Sequence, residues 1–338
     1  MSSMNPANDS RTLNATEFAF VAALAAKISV NVEQVIIGKR DRIELLLTTL
    51  FCEGHALLED VPGVGKTTLA KAIARSIGGD FRRIQFTPDL LPSDIGGISY
   101  FNQKLSDFQF RPGPVFANLL LADEINRAAP RTQAAMLEAM EERSVTTDGE
   151  TRILPRPFLV LATENPIELE GVFPLPEAQL DRFLMRIDLG YPTHDEEDEI
   201  LERHHQVSPL ENLEAVSTTD ELLRAANQTR LVFVSPEVRH YLTGIVRATR
   251  VHESVELGAS PRASLALHRA AQALAAIRGR DHVQPEDVKF LAPAVLGHRI
   301  IVGGDARIRG RDTASVLADV LASVPAPVEG EIGFATAR

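Results

Sequence analysis

The sequence has no tryptophan, only three tyrosines and a single cysteine. With Cys52 alone, neither an intrachain disulfide nor a cysteine-based metal site can form. That thiol lies in an apolar stretch and reads as a small core residue rather than a nucleophile. Cations are also scarce: 35 Lys and Arg stand against 46 Asp and Glu, a formal net charge of −11. Non-specific wrapping of a phosphate backbone needs a surplus of cations to displace counterions, so this balance argues against a nucleic-acid partner. No apolar run approaches the ~20 residues that span a bilayer, so no membrane insertion is expected. Together these absences suit a soluble chain in a reducing, cytoplasmic setting. The nine histidines include no pair at metal-ligand spacing, His204 and His205 being adjacent.

What is present is an ordinary globular composition, 44% hydrophobic and 24% charged, over 338 residues. That length predicts one core and a smaller second domain. Residues 1–14 are polar and are expected to be a flexible terminus. Phe18, Val21, Leu24, Ala25 and Ile28 then recur at helical spacing. From there to Leu189, helical periods alternate with the apolar runs His55–Glu59, Arg83–Phe86, Leu119–Ala122, Phe158–Ala162 and Leu184–Leu189. Such alternation predicts an α/β core, a parallel sheet flanked by helices, over 15–192. Beyond Tyr191–Pro192 strand signals fade. Thr193 with Glu196 makes a capping box, and Ser235–Pro236 and Ser260–Pro261 are helix starts. An all-helical second domain is expected over 193–323 and a loose tail over 324–338.

The strongest chemical signal is Asp60-Val61-Pro62-Gly63-Val64-Gly65-Lys66-Thr67, set between an apolar strand and the helical run Leu69–Ile77. In this strand–loop–helix context, glycines let backbone N–H groups cradle phosphate oxygens. Lys66 reaches the β- and γ-phosphates, and the Thr67 hydroxyl holds Mg²⁺. Asp60 replaces the first glycine of the general pattern, and its carboxylate must point away from the phosphates. Further on, Asn118-Leu119-Leu120-Leu121-Ala122 runs into Asp123 and Glu124. At a buried strand's end Asp123 can join the Mg²⁺ shell while Glu124 polarises the attacking water. A third apolar strand, Leu159–Ala162, ends in Thr163-Glu164-Asn165, and Asn165 can sense the γ-phosphate. Arg182 precedes the last strand, where it could serve a neighbouring subunit's nucleotide as an arginine finger. Arg262 opens a second-domain helix and could reach back to the phosphates. Arg127 and Arg131 are weaker interface candidates.

With these features in this order, the chain resembles the AAA+ ATPases and specifically their MoxR family. The resemblance rests also on Arg111–Phe116, Asp123–Ala128, Leu137–Glu142, Phe173–Phe183 and Leu296–Ile300. It implies an AAA+ core with a helical lid and ATP held by Asp60, Val61, Pro62, Gly63, Val64, Gly65, Lys66, Thr67, Thr68 and Gly38, with Mg²⁺ at Thr67 and Asp123. Glu124, Lys66, Asn165 as sensor 1, Arg182 as arginine finger and Arg262 as sensor 2 would be the catalytic set. Residues 87–114 fit the family's insertion and 143–155 its hairpin. The resemblance further implies a hexameric ring, a von Willebrand factor A-domain partner and a protein client for chaperone-like remodelling. The competing expectations are an ATP-operated assembly switch and a nucleic-acid motor, the latter disfavoured by the acidic balance.

Overall fold

The apolar runs that alternate with helical periods form a parallel sheet in the computed structural model of this chain, which describes residues 6–61, 63–164, 171–203 and 209–327, with side chains from residue 17. Along the chain come α1 (Pro6–Glu33), α2 (Arg40–Phe51), β1 (Ala56–Glu59), α3 (Lys66–Ser76), β2 (Phe81–Gln85), α4 (Pro92–Gly96), β3 (Gly97–Asn102), β4 (Asp107–Pro112) and β5 (Leu119–Asp123). Next are α5 (Pro130–Glu142), β6 (Ser144–Thr147), β7 (Glu150–Ile153), β8 (Leu159–Glu164), α6 (Glu177–Leu180), β9 (Met185–Ile187), α7 (His194–Arg203) and α8 (Thr219–Thr229). The chain continues with α9 (Pro236–Val251), β10 (Val255–Leu257), α10 (Pro261–Ile277), α11 (Pro285–Leu296), β11 (Ile301–Val302), α12 (Gly304–Ile308) and α13 (Thr313–Ser323). Helix α1 begins within the stretch expected to be a flexible terminus. Residues 1–5 of that terminus and 328–338 of the expected tail lie outside the described residues.

Two compact units result. One comprises Ile28–Leu46 and Glu53–Leu223, the other the chain up to Lys27, Leu47–Cys52 and everything from Arg224 on. In the first, five parallel strands lie in the order β2-β5-β8-β1-β9. Leu57, Leu58, Leu119–Ala122 and Leu159–Ala162 are buried, the near-continuous apolar reading expected of strands covered on both faces. Because β1 lies between β8 and β9 while the chain from β1 crosses to β2 at the far edge, the order reverses beside β1. Open α/β sheets bind ligands at such a switch point. One face packs Ile84, Phe86, Leu120 and Val160 against Met136, Leu137 and Met140 of α5.

Two antiparallel hairpins interrupt this unit. Strands β3 and β4 pair within the 87–114 segment, and β6 and β7 pair within 143–155 through a turn at Asp148 (φ 55°) and Gly149 (φ 80°). That Asp-Gly pair supplies the positive φ values a tight hairpin requires. The base of the second hairpin is pinned: Arg143 and Arg156 both donate to the buried Glu53 carboxylate, at 3.0 and 2.8 Å. Nearby, buried His55 accepts from Val160 N through Nδ1 at 3.0 Å and faces the Met140 carbonyl with Nε2 at 3.1 Å. Helix α7 groups with the sheet, beyond the expected boundary at residue 192. Thr193 and Glu196 cap it reciprocally, Glu196 meets Lys39 at 3.5 Å, and Arg203 donates to the carbonyls of Glu33 and Gln34.

The second unit is helical, with one addition to the expectation: β10 and β11 pair antiparallel. At three and two residues they are too short to show a strand period in the sequence. Ser235 caps α9 by accepting from Val238 N at 3.2 Å, with Pro236 at the first helical position. Ala270, Ala271, Leu274, Leu291 and Val295 are buried between helices, and Asp287 is fully buried between Arg278 and Arg280. The Cys52 thiol, 3.4 Å from the Arg269 carbonyl, is pushed up by burial to about 12, which leaves it no nucleophilic character at neutral pH. Among the described residues no helix is long and apolar enough to cross a membrane, and no cluster of His, Cys, Asp or Glu has metal-binding geometry.

Candidate active site

The turn from β1 into α3 has Gly63 at φ +89° and Gly65 at φ +91°. A Cβ at either would meet nothing within 4 Å, so the left-handed backbone and not crowding selects glycine. Leu69, Ala70, Ile73 and Ala74 are buried on α3 and fix its direction. Its first N–H groups, which lack intrahelical partners and carry the positive end of the helix, therefore open toward the loop. Lys66 Nζ donates to the Asp60 carbonyl at 2.6 Å. Burial pushes the Lys66 ammonium below its usual range, while Asp60, Asp123 and Glu124 oppose the shift. The Asp60 carboxylate is buried and turned away from this turn. It accepts from Val61 N at 3.0 Å with one oxygen, and from Leu189 N and Gly190 N at 2.6 and 2.9 Å with the other.

Asp123 and Glu124 face the same loop from the end of β5. A cavity of ≈330 Å³ has Gly63, Gly65, Lys66, Thr67 and Thr68 on one side and Asp123, Glu124, Thr163 and Glu164 on the other. Thr163, fully buried at the end of β8, ties the two acids together: its hydroxyl donates to Asp123 Oδ1 at 2.6 Å and accepts from Glu124 N at 2.8 Å. Glu124 adopts φ 56°, ψ 51°, a left-handed conformation uncommon for a non-glycine residue and held here by neighbouring contacts. Its Oε2 accepts from Gln85 Nε2 at 2.7 Å and from Arg127 at 3.0 Å. Asp123 Oδ2 accepts from Arg83 at 2.7 Å.

Of the other expected site residues, Arg182, Gly38 and Arg131 are not among those lining this cavity. Arg182, just past α6, pairs with Glu141 of α5 at 3.2 Å. Arg262 is exposed in the first turn of α10, in the helical unit. Gly38, at φ +70°, packs directly on the Glu196 side chain, which a Cβ there would have to push aside. Arg131 is exposed at the start of α5. Asn165 and Pro62 fall outside the described residues.

Sequence reasoning passed over Thr163, Glu164, Arg83 and Gln85. Glu164 lies beside Glu59 in the register of β8 with β1. Burial raises its carboxyl to about 7, Glu59 adds to the rise, and Arg186 opposes it. A larger cleft of ≈430 Å³ lies between Arg82, Asp94 and Arg111, but it contains neither the glycine turn nor the acids. Of the two, the smaller cavity joins the free N–H groups of α3, a lysine, threonine hydroxyls and the carboxyl groups of Asp123, Glu124 and Glu164. The hard oxygens of Thr67 and Asp123 are suitable donors for Mg²⁺, and the glycine turn with Lys66 suits a polyphosphate.

Comparison with known proteins agrees with this geometry. The profile of the ATPase family associated with various cellular activities (AAA) matches residues 55–185, and that of the AAA lid domain matches 247–320. The chain is 47% identical to Chaperone MoxR1 of Mycobacterium tuberculosis, covering 88% of this chain and 80% of that one. It is 48% identical to the uncharacterised YeaC of Bacillus subtilis, covering 90% and 96%. A solved ATPase-like chain from Cytophaga hutchinsonii superposes with a TM-score of 0.87 at 38% identity, covering 93% and 98%.

Proposed function

The chain belongs to the MoxR family of AAA+ ATPases, and on that premise we propose that it binds and hydrolyses ATP with Mg²⁺ to remodel or mature partner proteins. The observation that carries this reading is the single cavity shared by the glycine turn, Lys66, Thr67, Asp123 and Glu124. The N–H groups of Gly63 to Thr68 cradle the phosphates, and Lys66 leaves the Asp60 carbonyl for the β- and γ-oxygens. Thr67 and Asp123 hold Mg²⁺, which neutralises charge on those oxygens when bound. Glu124, angled by its left-handed backbone and by Thr163, polarises the attacking water. Asn165 senses the γ-phosphate.

Arg182 completes a neighbouring subunit's site in a homo-oligomer, which we read as a hexameric ring. Arg262 couples the lid, residues 193–323 by the sequence boundaries, to the nucleotide on the 15–192 core. The wider setting is cytoplasmic, with a von Willebrand factor A-domain partner and a protein client. The name Chaperone MoxR1 borne by a relative at 47% identity supports the protein client. The test is Mg²⁺-ATP hydrolysis per subunit across protein concentrations, with Glu124→Gln protein as the blank. A per-subunit rate that rises with concentration and vanishes in the blank supports the reading; turnover undiminished in Glu124→Gln would overturn it.

A further inference from the structure

Arg83 and Gln85 lie two apart on β2 and so project from the same face of the strand. In the parallel register Gln85 pairs with Asp123, so that face borders the acids at the end of β5. The Arg83 guanidinium donates to Asp123 Oδ2 twice, through Nε at 3.0 Å and through Nη2 at 2.7 Å. The same Nη2 donates to Gln85 Oε1 at 2.6 Å, and Gln85 Nε2 donates to Glu124 Oε2. Because Thr163 occupies Asp123 Oδ1, both oxygens of Asp123 are engaged, one of them by a fixed positive charge. A hard divalent cation seeking that carboxylate needs the same lone pairs and is repelled by the guanidinium.

We propose that Arg83 is a positioning residue for the acid pair, an internal counter-cation that a divalent metal must displace from Asp123. Arg83 thus raises the metal concentration the site requires; the inference rests on the ATPase reading above. The arginine side chain is 45% exposed, which gives it room to swing off. A planar fork is needed to reach Asp123 and Gln85 at once, a task a lysine performs only in part.

The experiment measures Mn²⁺ binding to the full chain with ADP bound, by electron paramagnetic resonance at low ionic strength, alongside metal-free ADP affinity. Arg83→Ala is expected to bind Mn²⁺ about three- to fivefold more tightly than the wild type, the range of a half-exposed ion pair. Arg83→Lys should fall between the two, and metal-free ADP affinity should stay within about twofold in all three. A purely structural role for Arg83 would not tighten metal binding. If Arg83→Ala does not fold, Arg83→Gln is read by the same comparison. Mn²⁺ affinity equal to or weaker than wild type in the folded variant overturns the proposal. Wild-type protein that binds no ADP overturns the nucleotide reading itself, and this inference with it.

Discussion

Replacing Asp60 with glycine would give the loop the residue of the general phosphate-binding pattern, yet the structure predicts a loss of stability. The carboxylate accepts from Val61, Leu189 and Gly190 at 3.0, 2.6 and 2.9 Å, and the residue is only 8% exposed. Breaking a hydrogen bond to a charged group from one side costs about 1.5–3 kcal/mol. Loss of the buried carboxylate's own desolvation cost and entry of water at the partly exposed Val61 and Gly190 offset much of that sum. The Leu189 N–H, in a buried residue, stays orphaned. A net destabilisation of about 2–4 kcal/mol remains, with about 0.5–1 kcal/mol more from the freedom glycine gives the unfolded chain. For a unit of this size, 3 kcal/mol lowers Tm by about 6–12 °C. Thermal unfolding of Asp60→Gly and Asp60→Asn measures it directly. Asparagine has one acceptor oxygen and should lie between glycine and wild type. An Asp60→Gly protein as stable as wild type would refute the idea that this side chain fastens the loop.

Three further outcomes are expected. Glu124→Gln should retain nucleotide binding while turnover falls at least about 100-fold, read by equilibrium binding and phosphate release. His55 is held neutral by burial, with its pKa lowered to about 4. The unfolded chain therefore takes up a proton that the folded chain refuses between pH 6.5 and 4. Stability should decline across that window as pH falls, by up to about 3 kcal/mol, and urea midpoints at stepped pH test it. Glu164 shifts the other way: raised to about 7, it stays protonated in the folded chain where the unfolded chain has lost the proton. Stability is therefore lost as pH rises from 4.5 through 7, and Glu164→Gln should raise Tm at pH 8 but not at pH 5. A Tm unchanged at pH 8 would count against a buried acid at that position.

Local patterns were legible because their causes are local. The apolar runs became β1, β2, β5, β8 and β9 to within a few residues, and the glycine turn and Asp123–Glu124 could be read as one chemical set before any pairing was known. Arg83, Gln85 and Thr163 were not legible, because their roles depend on β2 and β8 flanking β5 on either side, and strand order leaves no mark on sequence spacing. Asp60 shows both limits at once. That its carboxylate points away from the phosphates followed from charge, but two of its three partners lie 129 and 130 residues further on. Glu164 looked like one more polar strand end; only its register with Glu59 sets two acids side by side.

Strand β2 is one of the sheet's two edge strands, bonded to β5 alone, and its last residue, Gln85, comes immediately before Phe86 and the 87–114 segment. Half of its backbone ladder is therefore missing, which makes it one of the two strands in the sheet that can slide with fewest bonds broken. Arg83 and Gln85, which hold Asp123 and Glu124 from one side, are thus mounted on an edge strand that leads through Phe86, buried in the core, toward α4 and the β3–β4 hairpin. A shift of that edge strand would move these two holders relative to Asp123 and Glu124 while Thr163, on the inner strand β8, stayed in place.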